Sequence, residues 1–322
     1  MKLTIILTIY NKEAYLRRAF DALLNQKDVN GDVYEVLAIN DGSTDGSALI
    51  IEEYVKSDGR VHVLTQENQG LSMARNNGVE AARGEYVWFV DADDTISRNA
   101  VSLICGAAKT LPDVIPFYAR TAGQVELRNT IPVSAKTGEE VLLNGHWQQC
   151  GVFWAFRRDF LQMNGLRFMP GVYHEDAEFT PRMLYAAKTI HVIPEVLYTV
   201  YRDPNSITQV PRPKRAFDYL TIAVSLSRFV IDRMETKTQL GRAILDQAAL
   251  CINNGLYVIA QNSKDYQKKF NMAFNLNKVQ LILALSNSCH YKYKIEGTVF
   301  SLFKGNYVSI YKCIQKLNNK SI

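Results

Sequence analysis

The sequence predicts an α/β fold, with a Rossmann-like, mostly parallel sheet flanked by helices and a helical C-terminal region. Apolar runs alternate with amphipathic segments through roughly the first 110 residues, and the loops between them are short and polar. Beyond Pro211 the apolar spacing turns helical.

LTIILTI (residues 3–9) is a continuous apolar run ending at Tyr10-Asn11, as expected of a strand covered on both faces. In EAYLRRAFDALLNQ, Leu16, Phe20, Leu23 and Leu24 fall at helical spacing, while Arg17, Arg18 and Asp21 turn elsewhere. YEVLAIN reads as a second buried strand, DGSTDGS as a turn into the helix SALIIEEYV, and RVHVLTQ as a third strand. LSMARNNGVEAARG makes a third helix closed by Gly84, and YVWFVDADD a fourth strand ending in acids. After residue 110 come the short strands DVIPFYA and QVELRNTI, a helix from Asp176 to about Ala187, and a strand pair, TIHVI with VLYTVYR. PRPKR is the natural linker, dividing the chain into domains 1–210 and 211–322. AFDYLTIAVSLSRFVIDRM and QLGRAILDQAALCINNGLYVIA then form amphipathic helices.

With 322 residues, 47% hydrophobic and 21% charged, the chain can build one large core and a smaller appendage. Cys105, Cys150, Cys251, Cys289 and Cys313 lie far apart, without CxxC pairs, so free thiols and a reducing, cytoplasmic setting are expected. The N-terminus reads as a strand rather than a secretory leader, and LTIAVSLSRFVID and KVQLILALSNS are too interrupted to span a membrane. Charge is uneven: residues 261–322 hold ten lysines against Asp265 and Glu296, net +8, while residues 1–260 carry net −3. That basic tail, with Phe300, Phe303, Tyr307 and Tyr311, could lie on an anionic membrane surface, at the inner face of the plasma membrane. A solvated helical face is an equally good reading. Mixed charge elsewhere argues against a nucleic-acid partner.

In a parallel sheet, ligands collect at the carboxyl ends of the strands. There the sequence places Phe89-Val90-Asp91-Ala92-Asp93-Asp94, and strand alternation aims Asp91 and Asp93 alike. Two such carboxylates repel unless a hard cation joins them, and Mg²⁺ or Mn²⁺ held by one or two carboxylates and substrate phosphates is the expected arrangement. Alternatively Asp94 caps a helix near TISRNA. In Ile39-Asn40-Asp41-Gly42-Ser43-Thr44-Asp45-Gly46-Ser47, Asp41 could accept a hydrogen bond from a base, whereas capping of the next helix accounts for Thr44 and Asp45. Arg75, early in the third helix, could contact a nucleobase or phosphate, or be a surface ion-pair residue.

Thr8-Ile9-Tyr10-Asn11-Lys12-Glu13, the INDGSTDGS turn, GLSMARNNGVEAARGEYVWFVDADD and Glu175-Asp176 appear in an order that resembles family-2 inverting glycosyltransferases of the GT-A fold. The resemblance covers residues 1 to about 205. It implies that Thr8, Tyr10 and Glu13 lie around the base and ribose, that Asp41 and Arg75 read the base, and that Asp91 contacts the ribose, with Ala92 beside it. Asp93 then matches the metal-binding aspartate of the DxD motif, and Asp176 the general base. Ile9 stands where the family usually has proline, which bears on local geometry only.

These parts suit one reaction: transfer of a sugar from a nucleotide diphosphate, most readily a UDP-sugar, to a hydroxyl of a glycan or lipid-linked acceptor. A cation at Asp93 can stabilise the departing diphosphate, and Asp176 can take the acceptor proton. Glu175 is an alternative base, but neighbours on a helix diverge by about 100° and only one faces a cleft squarely. His174 could touch metal or phosphate, or be hydrogen-bonded locally. Phe153 and Trp154, ahead of Arg157-Arg158, could make an acceptor platform or pack in the core. Two rival functions share the acids: nucleotidyl transfer, which lacks the expected glycine-rich lysine loop, and a sugar-nucleotide sensor without turnover. No GxGxxG, Walker or HExxH signature occurs to support redox, NTPase or zinc-protease chemistry.

Overall fold

The structure is a computed structural model that describes residues 1–29, 33–145, 147–201, 212–303 and 305–318. The first 91 residues build four parallel strands and three helices: β1 (Leu3–Ile9), α1 (Glu13–Leu24), β2 (Tyr34–Asp41), α2 (Ser47–Ser57), β3 (Val61–Gln66), α3 (Leu71–Ala81) and β4 (Tyr86–Asp91). The apolar runs become the central strands: every residue of β1 and β2 is buried, as strands covered on both faces require. β3 is more polar and more exposed, which suits its place at the sheet edge. α1 buries Leu16, Ala19, Phe20 and Leu23, and Phe20 stacks on Tyr54 of α2 with ring centroids 4.4 Å apart.

Two glycines let backbones approach where a side chain would collide. A Cβ at Gly78 of α3 would lie 2.5 Å from Ile6 Cγ2, so glycine seats that helix directly on β1. Gly84 does not close the helix: α3 ends at Ala81 with Ala82 as its cap. A Cβ at Gly84 would lie 2.4 Å from Thr4 N, and its own N–H donates to Thr4 Oγ1, so this glycine serves close approach to β1.

The chain continues through β5 (Thr95–Ile96), α4 (Ala100–Ala107), β6 (Val114–Thr121), β7 (Leu127–Arg128), α5 (Gly138–Asn144), β8 (Trp154–Arg157), α6 (Arg158–Met163), α7 (Glu175–Ala186) and β9 (Ile193–Val200). The sheet order is β3-β2-β1-β4-β8-β6-β9-β5, with β7 on β6. It is parallel from β3 to β4 and mixed beyond, because β8 runs antiparallel to both β4 and β6. TIHVI and VLYTVYR do not pair with each other; β9 pairs with β6 in parallel and with β5 antiparallel. The apolar alternation marked a strand there, but its partner lies about 80 residues earlier, beyond what local pattern can register. Phe153 and Trp154 are fully buried, so they pack the core and offer no acceptor platform. None of the five cysteines, all of them described residues, forms a disulfide.

Cα packing divides the chain into two compact units, Met1–Gly171 with Arg182–Asp203, and Val172–Pro181 with Pro204–Ile322. The expected boundary at residues 210–211 lies outside the described residues. Pro213, Lys214 and Arg215 of the expected linker are helical, opening α8 (Pro213–Arg233) with proline in the first turn, where its missing N–H costs nothing. α9 (Gln239–Ala260), α10 (Lys264–Leu276), α11 (Lys278–Asn287), α12 (Tyr291–Leu302) and α13 (Tyr307–Asn318) follow. By length and composition α9 could cross a membrane, unlike the interrupted segments considered from sequence, yet 61% of its most apolar stretch is buried inside the protein. Of the four tail aromatics expected at a membrane surface, Phe300, Tyr307 and Tyr311 are buried, and only Phe303 is exposed. Phe274 packs against both Phe300 and Tyr307, which explains their spacing as core positions.

Candidate active site at the carboxyl ends of β1, β2 and β4

β1 is flanked by β2 on one side and β4 on the other, and in register Thr8 faces Ile39 and Asp91. β2 and β3 build outward in one direction while β4 joins the opposite side of β1, so the order of the parallel strands reverses between β1 and β4, the position where ligands collect in open α/β sheets. Thr8 and Asp91 meet there: Thr8 Oγ1 lies 3.5 Å from Asp91 Oδ1, and Arg75 Nη2 donates to the same oxygen at 3.1 Å. Arg75 is 1% exposed, so the surface ion-pair reading is overturned. Its guanidinium lies 5.1 Å from the Phe168 ring centroid and 5.9 Å from that of Phe89. Asn76, the next residue of α3, holds Phe168 by two backbone bonds of 2.9 Å. A buried guanidinium that is paired and stacked holds its carboxylate in one orientation.

Asp93 faces two cations from the start of α1. Lys12 Nζ lies 2.5 Å from Asp93 Oδ2, and Arg18 Nη2 donates to the Asp93 carbonyl at 2.5 Å. The Arg18 guanidinium also covers the Tyr201 ring at 3.8 Å. Asp94 is not a helix cap, since α4 starts after Asn99. Its buried carboxylate accepts from Tyr198 Oη at 2.8 Å and from Tyr201 N at 2.8 Å, and Tyr198 Oη accepts from the Asp91 N–H at 3.1 Å. Burial, then the charges of Asp91 and Asp93, push the Asp94 carboxyl up to about 8. Ala92, between Asp91 and Asp93, is buried.

Asp41 at the end of β2 is 3% exposed, and its carboxylate accepts from Gln66 Nε2, Gln69 N and Gly70 N at 2.8–2.9 Å. Three of its roughly four lone-pair sites thus shape the loop into α3. Glu13 accepts from Gly46 N at 2.9 Å, and its N–H donates to Asp45 Oδ2 at 3.1 Å. It therefore ties α1 to the entry of α2. Gly46 is the N-cap there, Asp45 accepts from Ser47 N at 3.0 Å, and Thr44 bonds to Asn11 instead of capping. Tyr10 is exposed beside Asn11, whose φ is 52°.

Residues 4–164, half of the chain, match glycosyl transferase family 2. This chain belongs to that family. It is 31% identical over 227 residues to the uncharacterized glycosyltransferase EpsJ of Bacillus subtilis, covering 65% of this chain and 63% of EpsJ, less than two thirds of that relative's length. Its fold resembles that of Staphylococcus aureus TarS 1-349 in complex with UDP-GlcNAc, with TM-score 0.67, 18% identity, and 98% and 92% of the two chains covered. It also resembles the mannosyltransferase PcManGT of Pyrobaculum calidifontis in complex with GDP-Man and Mn²⁺, with TM-score 0.55, 18% identity, and coverage of 99% and 88%.

For this family 2 glycosyltransferase the fit of a cation is decided by oxygen donors. Among the described residues no three His, Cys, Asp or Glu side chains gather to hold a metal alone. The partly exposed Asp91 and Asp93 carboxylates at one strand end instead suit a hard cation completed by substrate phosphates.

Asp176 belongs to the second unit, in the first turn of α7. It is half-buried, whereas Glu175 is buried, so of the two it is the more accessible. The approach to α7 is fixed by α8: Tyr173 N donates to Asp218 Oδ2 at 2.9 Å, and Ser225 Oγ donates to Glu178 Oε1 at 2.9 Å. His174 has φ 63°, its ring stacks on Tyr219 at 4.5 Å, and Arg215 Nε donates to its Nε2 at 3.2 Å. These contacts bear out the local hydrogen-bonding reading of that histidine.

Burial, then the Arg215 charge, pull His174 down from 6.5 to about 4. Because the folded value is depressed, its stabilising contribution is complete above pH 6.5 and is lost as pH falls toward 4. The loss is expected to reach roughly 1–3 kcal/mol. His174→Asn, a residue that tolerates this backbone, should show a shallower fall in Tm between about pH 7 and pH 4. Superimposable profiles for the two proteins would contradict it.

Sequence reasoning missed Lys12, Arg18 and Tyr198. For Lys12 a signal existed: a lysine at a helix N-cap opposes the helix dipole and calls for a nearby anion. Tyr198 lies 104 residues from Asp94, and nothing local announces their bond.

Proposed function

We propose that this glycosyltransferase moves a sugar from a UDP-sugar to a hydroxyl of a glycan or lipid-linked acceptor in surface polysaccharide synthesis, with inversion at the anomeric carbon. The observation that carries the reading is the convergence of Thr8, Asp91, Arg75 and Asp93 where β1 and β4 part. The TarS complex with UDP-GlcNAc supports the choice of a UDP-sugar, and the Mn²⁺ complex of PcManGT supports a divalent cation, Mn²⁺ or Mg²⁺, at Asp93.

In this reading Asp91, oriented by Arg75, accepts from the ribose, and Asp41 and Thr8 border the base, with Tyr10 and Glu13 at the loop edge. The cation, when bound, supplies charge that stabilises the diphosphate leaving group. Asp176 takes the proton of the acceptor hydroxyl as its oxygen forms the bond to the anomeric carbon. The bond from that carbon to the phosphate oxygen breaks, and UDP departs with the electron pair. A single displacement inverts the centre.

The test is UDP release from a panel of UDP-sugars, with Mn²⁺ or with EDTA, in the presence and absence of lipid-linked acceptors. Metal-dependent, acceptor-stimulated release with an inverted product linkage by NMR is expected. Tight UDP-sugar binding without release under any of these conditions would instead identify a sensor.

A further inference from the structure

In the second unit, α10 and α11 meet at a turn beside the turn between α12 and α13. Lys278 Nζ donates to the carbonyls of Ser301 at 3.0 Å and Phe303 at 2.8 Å. Tyr307 Oη donates to Asn275 Oδ1 at 3.1 Å, and Val308 N to Asn271 Oδ1 at 3.1 Å. The paired turns carry large apolar side chains that the unit leaves uncovered: Leu276 is 85% exposed, Val279 77%, Leu302 78% and Phe303 48%. Scattered single exposures are ordinary, but four at two cross-linked turns form a patch that needs a partner.

Charge indicates which partner. Residues 261–322 carry ten lysines and two acids. Glu296 is fully buried and accepts from Asn253 Nδ2 at 2.7 Å, so it contributes nothing to the surface. Asp265 is tied to Lys269 at 2.8 Å. Lys278 stands at the turn between Leu276 and Val279, in a segment of net positive charge, and apolar side chains on a cationic segment match a surface that is hydrocarbon beneath and anionic above. A second copy of this chain would bring lysines against lysines.

We propose that the turns α10–α11 and α12–α13 form a tip that inserts Leu276, Val279, Leu302 and Phe303 into an anionic bilayer, drawn to its headgroups by Lys278 and the net positive charge of residues 261–322. This replaces the aromatic tail as the membrane element, because Phe300, Tyr307 and Tyr311 are core residues. Neither signal suffices alone: each lysine near an anionic surface contributes on the order of 1 kcal/mol, and stable attachment takes both charge and insertion.

The experiment is co-sedimentation of the full chain with vesicles of phosphatidylcholine alone or mixed with phosphatidylglycerol. Binding to the mixed vesicles only, weakened by salt, is expected. The double variant Leu276→Glu, Leu302→Glu should bind them roughly tenfold or more less well. Both side chains are exposed, so its circular dichroism, Tm and UDP affinity should match the parent. The inference is overturned if the parent fails to bind anionic vesicles or binds both kinds equally, or if the variant binds as well as the parent. It is also overturned if sedimentation velocity shows a dimer that the same substitutions dissociate. UDP binding is measured separately, so failure here leaves the catalytic reading standing, and the converse holds.

Discussion

Asp93→Asn is expected to lower sugar transfer by roughly 10²–10³-fold, the scale seen when one stabilising contact to developing charge is removed. The substitution keeps shape and removes the charge that Lys12 pairs with at 2.5 Å. On the proposed reading it also abolishes the extra thermal stabilisation that Mn²⁺ gives in the presence of UDP, since that stabilisation reflects ligand held by the folded state. Lys12→Met approaches the pair from the other side. With the ammonium gone, Mn²⁺ no longer competes for Asp93, and the ratio of UDP affinities with Mn²⁺ and with EDTA should rise above the parent's. Full activity of Asp93→Asn, with its Mn²⁺ effect intact, would remove the metal from Asp93.

Asp176→Asn carries the second large effect. Loss of a general base costs about 10²–10⁴-fold in kcat, and the amide cannot accept the acceptor proton. UDP affinity should be unchanged, because on the proposed reading Asp176 serves the acceptor rather than the nucleotide. The measurement is transfer to acceptor alongside UDP binding by calorimetry. A variant with parent-like kcat would move the base elsewhere, and Glu175→Gln is then the informative comparison, although Glu175 is buried.

The legible parts of this protein are those encoded by short-range pattern. Buried runs such as LTIILTI and YEVLAIN became fully buried strands because their residues have no polar face to turn outward. Motif order pointed to the family, and the parallel register then brought Thr8 beside Asp91. Less legible was what a motif residue does once folded. Asp41, Glu13 and Asp45 spend much of their hydrogen bonding on loops and helix starts, an accounting that spacing cannot supply. Arg75 read as ambiguous because a guanidinium on a helix is usually solvated, and its burial against Phe89 and Phe168, the latter 93 residues on, depends on tertiary packing.

Sequence alone determined the alternation of strand and helix, the acids at the end of β4, and the excess of lysine in the tail, since each is a property of neighbours along the chain. Tertiary structure decided that Lys12 and Arg18 grip Asp93, that Tyr198 joins Asp91 to Asp94, and that Glu296 is hidden while Leu276 and Leu302 stand in solvent. The reason is physical: burial and pairing depend on which distant segments pack together, and one-dimensional patterns carry that information only through the core they imply.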